Sequence, residues 1–448
     1  MLSTIQRVVT LGALLLHSGV YILVILTLTL LCVLQDYVST ANASVAGVLS
    51  SFLVLSLRHE YRHLLKIVHG SSTKKIAQKD VCVEPQTSNP PAVRLLTYNI
   101  FCRPVGVRNN EDDFKNERLN LFLQEMEMYD VIALQEIFEL FNTRPKFLIQ
   151  AAQKVGFRYS LRGTWPSFAS RKFIDAGLLI LSKYPIVKYD HHIFKNSAEV
   201  DQFAAKQIMY AGISIEGKIL HCFTSHTQAT YGNNEGGAPK SGNPIYEWGQ
   251  YIIKGGSGDA KKVVVECDEA RVGQLRESRE FIDRVLQNGE VLGKDDIGVL
   301  MGDLNVDALN CPHEYSTLLQ TLSEGSNYHV SNAFFDEHGF HPVTYGDVCP
   351  RTGKNLETTL TAPMDVGMKG SLDHMIVFRR KKEGGDRERE HDESEDDEKE
   401  GKRNDFDSPY RVEDVKVEPF FVKDQQPITQ ISDHYGISAT LTPIREDR

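Results

Sequence analysis

Two uncharged apolar runs open the chain. Val8 to Leu34 has no formally charged residue, with His17 the one group that titrates near neutral pH, and Val38 to Leu57 is a second uncharged run. At about 1.5 Å per residue the first run exceeds the roughly 30 Å core of a bilayer, and the second matches the minimum span. The first is about twice as long as the apolar core of a cleaved signal peptide, and another run follows it, so residues 1–69 read as a retained membrane anchor. If both runs span, they form a hairpin. Arg7 before it and Arg58, Arg62 and Lys66 after it then put both ends, and the rest of the chain, in the cytosol. Residues 70–92 are polar with a Pro90-Pro91 pair and read as a tether.

From residue 93 to 443 the pattern changes to short apolar runs separated by polar ends. Val93 to Ile100, Val131 to Leu134, Gly177 to Leu181, Met209 to Ile215, Lys218 to Phe223, Ile297 to Met301, Met375 to Phe378 and Gly436 to Leu441 predict strands. Helical spacing predicts helices over Asn116 to Tyr129, with Leu119, Phe122, Leu123 and Met126 on one side, and over Ala270 to Leu286. Strands outnumber helices and several look apolar on both faces, which predicts a layered α/β or α+β sandwich. Lys381 to Arg403 holds 11 acidic and 7 basic residues, too charged to bury a core, and reads as a solvated loop inserted between two strands.

The apolar fraction of 41% and charged fraction of 25% fit a packed domain and exclude wholesale disorder. The net charge of −10, with 36 acidic against 31 basic residues between Pro91 and Arg380, disfavours a nucleic-acid partner. Seven cysteines without a C-x-x-C pair exclude a zinc ribbon and a disulfide scaffold, and suit a reducing compartment.

The candidate chemistry sits where apolar runs end. Gln135-Glu136 closes one strand, Ser225-His226-Thr227 another, and Gly302-Asp303-Leu304-Asn305 a third; Asp373-His374 and Ser432-Asp433-His434 precede two more. Strand alternation sends Asp303 and Asn305 to one face. One acid at a strand end is usually a turn residue or cap, but five acid- or His-bearing ends in one domain exceed what caps require. There is no Ser-His-Asp elbow and no Walker loop. Carboxylates and amides are hard oxygen ligands for Mg²⁺ or Mn²⁺, and histidines move protons near neutral pH, a set suited to attack of water on phosphorus.

Thr97-Tyr98-Asn99, Leu134-Gln135-Glu136, Ser225-His226-Thr227-Gln228-Ala229, Gly302-Asp303-Leu304-Asn305, Ser371-Leu372-Asp373 and Ser432-Asp433-His434 occur in the order of the deoxyribonuclease I-like endonuclease/exonuclease/phosphatase superfamily. Within it, His226-Thr227-Gln228-Ala229 and the Asp201-x4-Lys206 segment resemble the Mg²⁺-dependent neutral sphingomyelinases. The resemblance implies a four-layer α/β/β/α sandwich that hydrolyses sphingomyelin to ceramide and phosphocholine, with Mg²⁺ (or Mn²⁺) as cofactor and the membrane, including an activating anionic lipid, as partner. It implies Glu136 as metal ligand helped by Asn99, His434 as general base oriented by Asp373, and Asp303 positioning water or base. It also implies Asn305 and His226 at the phosphate and Lys206 at the substrate, and leaves Asp433 open between a ligand and a supporting group. His374 stands where the superfamily usually has Tyr. Another enzyme on the same fold, an inositol-phosphate or lipid phosphatase or a nuclease, is the alternative. Trp248 with Tyr246, Tyr251, Ile252 and Ile253, and Phe420-Phe421, are candidate aromatic contacts to lipid, or else local core.

Overall fold

The computed structural model describes residues 91–444, apart from 105–106, 111, 167–169, 171, 232–259, 288–295, 347, 350, 353, 355, 357–358, 363–364, 382–405 and 423–426. Both apolar N-terminal runs, nearly all of the tether, the stretch around Trp248 and nearly all of the charged insertion lie outside the described residues. Among the described residues, no helix is long and apolar enough to cross a membrane.

In chain order the elements are β1 (Val93–Cys102), α1 (Lys115–Glu125), β2 (Val131–Ile137), α2 (Arg144–Lys154), β3 (Tyr159–Arg162), β4 (Leu179–Ser182), β5 (Ile186–Ile193), β6 (Gln207–Ile215), β7 (Lys218–His226), α3 (Ala260–Gln287) and β8 (Ile297–Asp303). They continue with α4 (Pro312–Ser323), β9 (Tyr328–Asn332), α5 (Ala333–His338), β10 (Tyr345–Gly346), β11 (Lys369–Gly370), β12 (Asp373–Lys381), β13 (Phe406–Asp407), β14 (Tyr410–Glu418) and β15 (Gly436–Pro443). One sheet has the order β14-β15-β1-β2-β4-β3, and the other β13-β12-β8-β7-β6-β5, with β9 also paired to β12. The pairs β1–β2 and β7–β8 are parallel, so both sheets are mixed.

Three apolar clusters define four layers. Alternate residues of both sheets, such as Leu95, Ala133, Met209, Val299, Met375 and Ala439, meet between the sheets. The opposite face of the first sheet packs Leu96, Tyr98 and Leu134 on Leu119 and Phe122 of α1 and Leu148 of α2. The opposite face of the second packs Phe223, Leu300 and Phe378 on Leu275 and Ile282 of α3 and Leu318 of α4. Strands covered on both sides carry near-continuous apolar runs, which is why β1, β2 and β8 stand out in the sequence.

The differences from the sequence reading have local causes. The first predicted helix stops at Glu125 and tightens into a 3₁₀ turn at Met126–Met128. Helix α3 starts ten residues before Ala270, through the stretch Lys261 to Glu269, whose three consecutive valines show no helical stripe. Strand β5 was not anticipated: as an exposed edge beside β6 only, it has no apolar alternation to read. Phe420 is core rather than a lipid contact. It is 8% exposed and packs against Tyr98 and Phe122, ring centroids 5.0 and 6.0 Å away.

A buried cation ties α1 to the ends of β1 and of the segment before β15. Arg118 is fully buried, and its guanidinium donates to the carbonyls of Asp113 (2.6 Å), Ile100 (2.8 Å), Ile431 (2.8 Å) and Phe101 (2.7 Å). Planar forked donors satisfy four carbonyls that no ladder reaches. Arg118→Met keeps the volume and strips all four bonds. It should destabilise folding by roughly 3 kcal/mol or more, seen as a lower urea midpoint at unchanged slope.

Candidate active site

Two registers assemble the site. Parallel pairing of β7 with β8 sets His226 beside Asp303, and antiparallel pairing of β12 with β8 sets Asp373 on the other side of Asp303. Gly302 permits the close approach, since a Cβ there would collide with the Ser225 carbonyl oxygen. From the facing sheet, parallel β1 and β2 end together, bringing Asn99 level with Gln135 and next to Glu136. The Ser432 hydroxyl donates to the Asn99 carbonyl (2.7 Å), drawing Asp433 and His434 to the same edge.

Asp303 is the meeting point. It is 1% exposed and accepts from Asn99 Nδ2 (2.9 Å) and the Asn305 amide (3.0 Å). His226 Nε2 lies 3.6 Å from Asp303 Oδ2, and His434 Nε2 lies 3.7 Å from it. His434 Nδ1 is 2.8 Å from Asp373 Oδ2. In the neutral imidazole Nδ1–H therefore donates to Asp373, and Nε2 faces Asp303 as an acceptor. Glu136, Asp303 and His226 offer ligand atoms within 4.8 Å of one another, as do Asp303, Asp373 and His434. Buried Glu136 Oε2, His226 Nδ1 and Asp373 Oδ1 have no hydrogen-bond partner among the described residues.

Burial drives the electrostatics. It raises Asp303, against the pull of His434, and raises Asp433 to about 7. It lowers His226 well below its ordinary value, helped by Lys206 and His434, so His226 is neutral at pH 7. Burial would also lower His434, but Asp373 and Asp303 outweigh it and hold His434 well above its ordinary value.

Six of the eight residues singled out from sequence, Asn99, Glu136, His226, Asp303, Asp373 and His434, converge here, and the other two stand apart in role. Asn305 does not continue the strand face shared with Asp303, because β8 ends at Asp303 and Asn305 takes a left-handed φ of 49°. That turn aims its amide at the Thr227 carbonyl, 3.1 Å away. Glu136 has a similar φ of 57°, so both side chains are directed by strained strand ends. Lys206 lies beneath the surface rather than facing an open site. It is 3% exposed, paired with Asp201 (3.0 Å) and donating to the Thr227 carbonyl (2.5 Å), and so braces the turn after β7. Asn99 Oδ1 accepts from the Phe101 amide (3.0 Å) while its Nδ2 bridges Glu136 (3.1 Å) and Asp303, so its side chain links the two carboxylates. Asp433 lies outside both ligand-distance clusters.

His374 points away from the site. Its Nε2 donates to the Val306 carbonyl (2.8 Å) and its Nδ1 takes the Asn332 amide (3.2 Å), and burial pushes it down to about 4. Sequence reasoning missed Gln135, whose amide donates to Thr97 (3.3 Å) and Thr224 (3.1 Å) and so joins the two sheets beneath the site. It also missed Thr344, whose hydroxyl accepts from the Asp373 amide (3.1 Å). Only the polarity of Gln135 at the end of an apolar run could have signalled either.

The Endonuclease/Exonuclease/phosphatase family model matches residues 96–354, and the chain belongs to that family. It is similar to a sphingomyelinase of Dictyostelium discoideum, 25% identical over 78% of this chain and 98% of that protein. A sphingomyelinase C of Leptospira interrogans is 25% identical over 54% of this chain, which is 39% of that protein. Among solved structures, sphingomyelinase C from Streptomyces griseocarneus covers 78% of this chain and 99% of its own, at 20% identity and a TM-score of 0.47. The beta toxin of Staphylococcus aureus with bound magnesium ions covers the same shares at 19% identity and a TM-score of 0.48.

The two neighbouring histidines should separate cleanly. His434→Gln should cut turnover per folded molecule by about 10²–10⁴-fold, the range for an acid–base group, while His374→Gln should leave turnover far less affected. His374 instead contributes to acid lability. Its folded pKa is depressed, so its contribution is complete above the unfolded value near 6.5 and is lost as pH falls through about 4, amounting to about 3 kcal/mol. Urea midpoints from pH 7 to 4 should fall for the native protein and fall less for His374→Gln.

Proposed function

We propose that the chain is a membrane-anchored phosphodiesterase that hydrolyses sphingomyelin to ceramide and phosphocholine by metal-assisted attack of water on phosphorus. The observation that carries the hydrolytic chemistry is the buried, unpartnered Glu136 Oε2 beside Asp303 and His226, one residue away from the Asp373–His434 pair. The Dictyostelium relative, matched over nearly its whole length and named a sphingomyelinase, supports the substrate.

The residues fit a hard divalent cation. An orphaned carboxylate oxygen is a ligand awaiting a partner, and the surrounding donors are carboxylates and imidazole with no thiol among them, which favours Mg²⁺ or Mn²⁺ over thiol-bound zinc. Glu136 would hold it, and when bound it would polarise a phosphate oxygen and offset charge on the alkoxide leaving group. In its neutral form, His434 Nε2 takes the proton of the attacking water, and Asp373 keeps the ring oriented and stabilises the imidazolium that results, so turnover should rise with pH as His434 loses its proton. Asp303 positions that water against Nε2. Neutral His226 hydrogen-bonds a phosphate oxygen or the departing ceramide oxygen without adding charge. Asn305 presents its amide at the same edge.

The anchor, and a catalytic domain facing the cytosol, follow from the two uncharged runs and the basic residues that flank them. Phosphocholine release from sphingomyelin in mixed micelles, set against inositol-phosphate release and plasmid cleavage, tests the reading; activity on either of the latter alone would overturn it.

Two further outcomes are expected. Hydrolysis should require added Mg²⁺ or Mn²⁺, and Glu136→Ala should raise that requirement or abolish turnover with the fold intact by circular dichroism. Full activity of this variant in chelator would remove Glu136 as the ligand. A fragment starting at Asn89 should be soluble, keep hydrolysis of micellar substrate and lose much of its rate on bilayers, because tethering supplies effective concentration. Insolubility of that fragment in dilute buffer would mean that the anchor packs on the domain.

A further inference from the structure

Three consecutive residues grip both partners of the Asp373–His434 pair. Thr344 Oγ1 accepts from the amides of Leu372 (2.9 Å) and Asp373 (3.1 Å), and its carbonyl accepts from the Tyr435 amide (2.7 Å). The Gly346 amide donates to the Asp433 carbonyl (3.1 Å), and its own carbonyl accepts from the Tyr435 hydroxyl (3.2 Å). Between them, half-buried Tyr345 forms a single antiparallel bridge with His434. The two rings lie 4.9 Å apart, centroid to centroid, at 55°. The phenol is itself fixed, donating to Asp365 Oδ2 (3.2 Å). Gly346 has a φ of +118°, and a Cβ there would strike the Met368 carbonyl, so the backbone of this segment is closely confined.

This clamp answers a mechanical difficulty. Asp373 starts β12 in one sheet, whereas His434 precedes β15 in the other, so no ladder holds the two in register. An imidazole keeps rotational freedom about its Cβ–Cγ bond unless packing removes it. The described bonds to the His434 ring are the short one to Asp373 and the long approach to Asp303, both on its edge. Among the described residues, Tyr345 is the aromatic contact on the ring, and Asp365 holds it in place.

We propose that Tyr345 is a positioning residue, whose ring, anchored through its hydroxyl to Asp365, holds the His434 imidazole between Asp373 and Asp303. The inference rests on the hydrolytic reading of the site. Tyr345 acts through His434 and does not itself move a proton.

The experiment uses the full-length protein, micellar sphingomyelin and saturating Mg²⁺. Tyr345→Leu should lower kcat by about 10–100-fold, as for a reacting group displaced by about 1 Å, with KM within about twofold of the native value. Tyr345→Phe keeps the ring but loses its anchor to Asp365, and should recover only part of that loss. In a His434→Gln background Tyr345→Leu should cost nothing further, because the group that it positions is gone. A second readout does not need turnover. The downfield proton resonance of His434 Nδ1–H, identified by its loss in His434→Gln, should vanish in Tyr345→Leu and persist in Tyr345→Phe. Native kcat with an unchanged resonance, a KM rise at constant kcat, or losses that multiply with His434→Gln would each overturn the proposal. If Tyr345→Leu does not fold, Asp365→Asn, which weakens the anchor of the phenol, should shift the same resonance and lower kcat; no change in either would overturn it equally. Failure of the native protein on sphingomyelin would fell the substrate reading alone, since the resonance still decides the positioning role.

Discussion

Burial of one carboxylate organises this molecule. Asp303 lies at the end of the central strand of one sheet, at 1% exposure, and among the described residues no lysine or arginine forms an ion pair with it. A buried anion is costly unless donors surround it. Here the two donors come from different elements, an amide from β1 of the opposite sheet and the Asn305 backbone, while imidazoles from the end of β7 and the approach to β15 stand 3.6 and 3.7 Å away. Satisfying Asp303 therefore forces the edges of both sheets together.

The same demand shapes the electrostatics. Glu136, Asp303, Asp373 and Asp433 gather where little water enters, and burial pushes Asp303 and Asp433 upward. Positive charge is what such a cluster lacks. His434 answers part of it, held up by Asp373 and Asp303, and a hard cation at Glu136 would answer the rest. His226, neutral beside the cluster, adds a hydrogen-bonding group without disturbing that balance.

Residues outside the Asp303 cluster set the geometry. Arg118 pins the end of β1 to the segment that carries Ser432, and Lys206 with Asp201 braces the turn after β7. Gln135 crosses between the sheets, and Thr344 to Gly346 join the start of β12 to the residues around His434. Apart from Lys206, which leads into β6, the partner of β7, each bridges elements that no shared ladder holds. The site is thus placed by cross-sheet hydrogen bonds more than by either sheet alone.

Much of this was legible in the chain. Strands buried on both faces must be apolar throughout, so β1, β2, β7, β8 and β12 announce themselves, and acids or histidines at their ends mark Glu136, His226, Asp303, Asp373 and His434. Period-two alternation also favours opposite directions for the adjacent Asp373 and His374. Periodicity is a property of one segment, however, and says nothing of which segments meet. It could not show that the Lys206 ammonium is consumed by Asp201, that Asn99 turns its amide rather than its oxygen to the carboxylates, or that a left-handed turn takes Asn305 off the strand. Those outcomes depend on register between strands, on partners 5 to 204 residues away, and on backbone angles fixed by packing. The sequence determined which groups could do the chemistry; the tertiary structure decided which are free to do it, because a polar group brought into the interior must first find a partner.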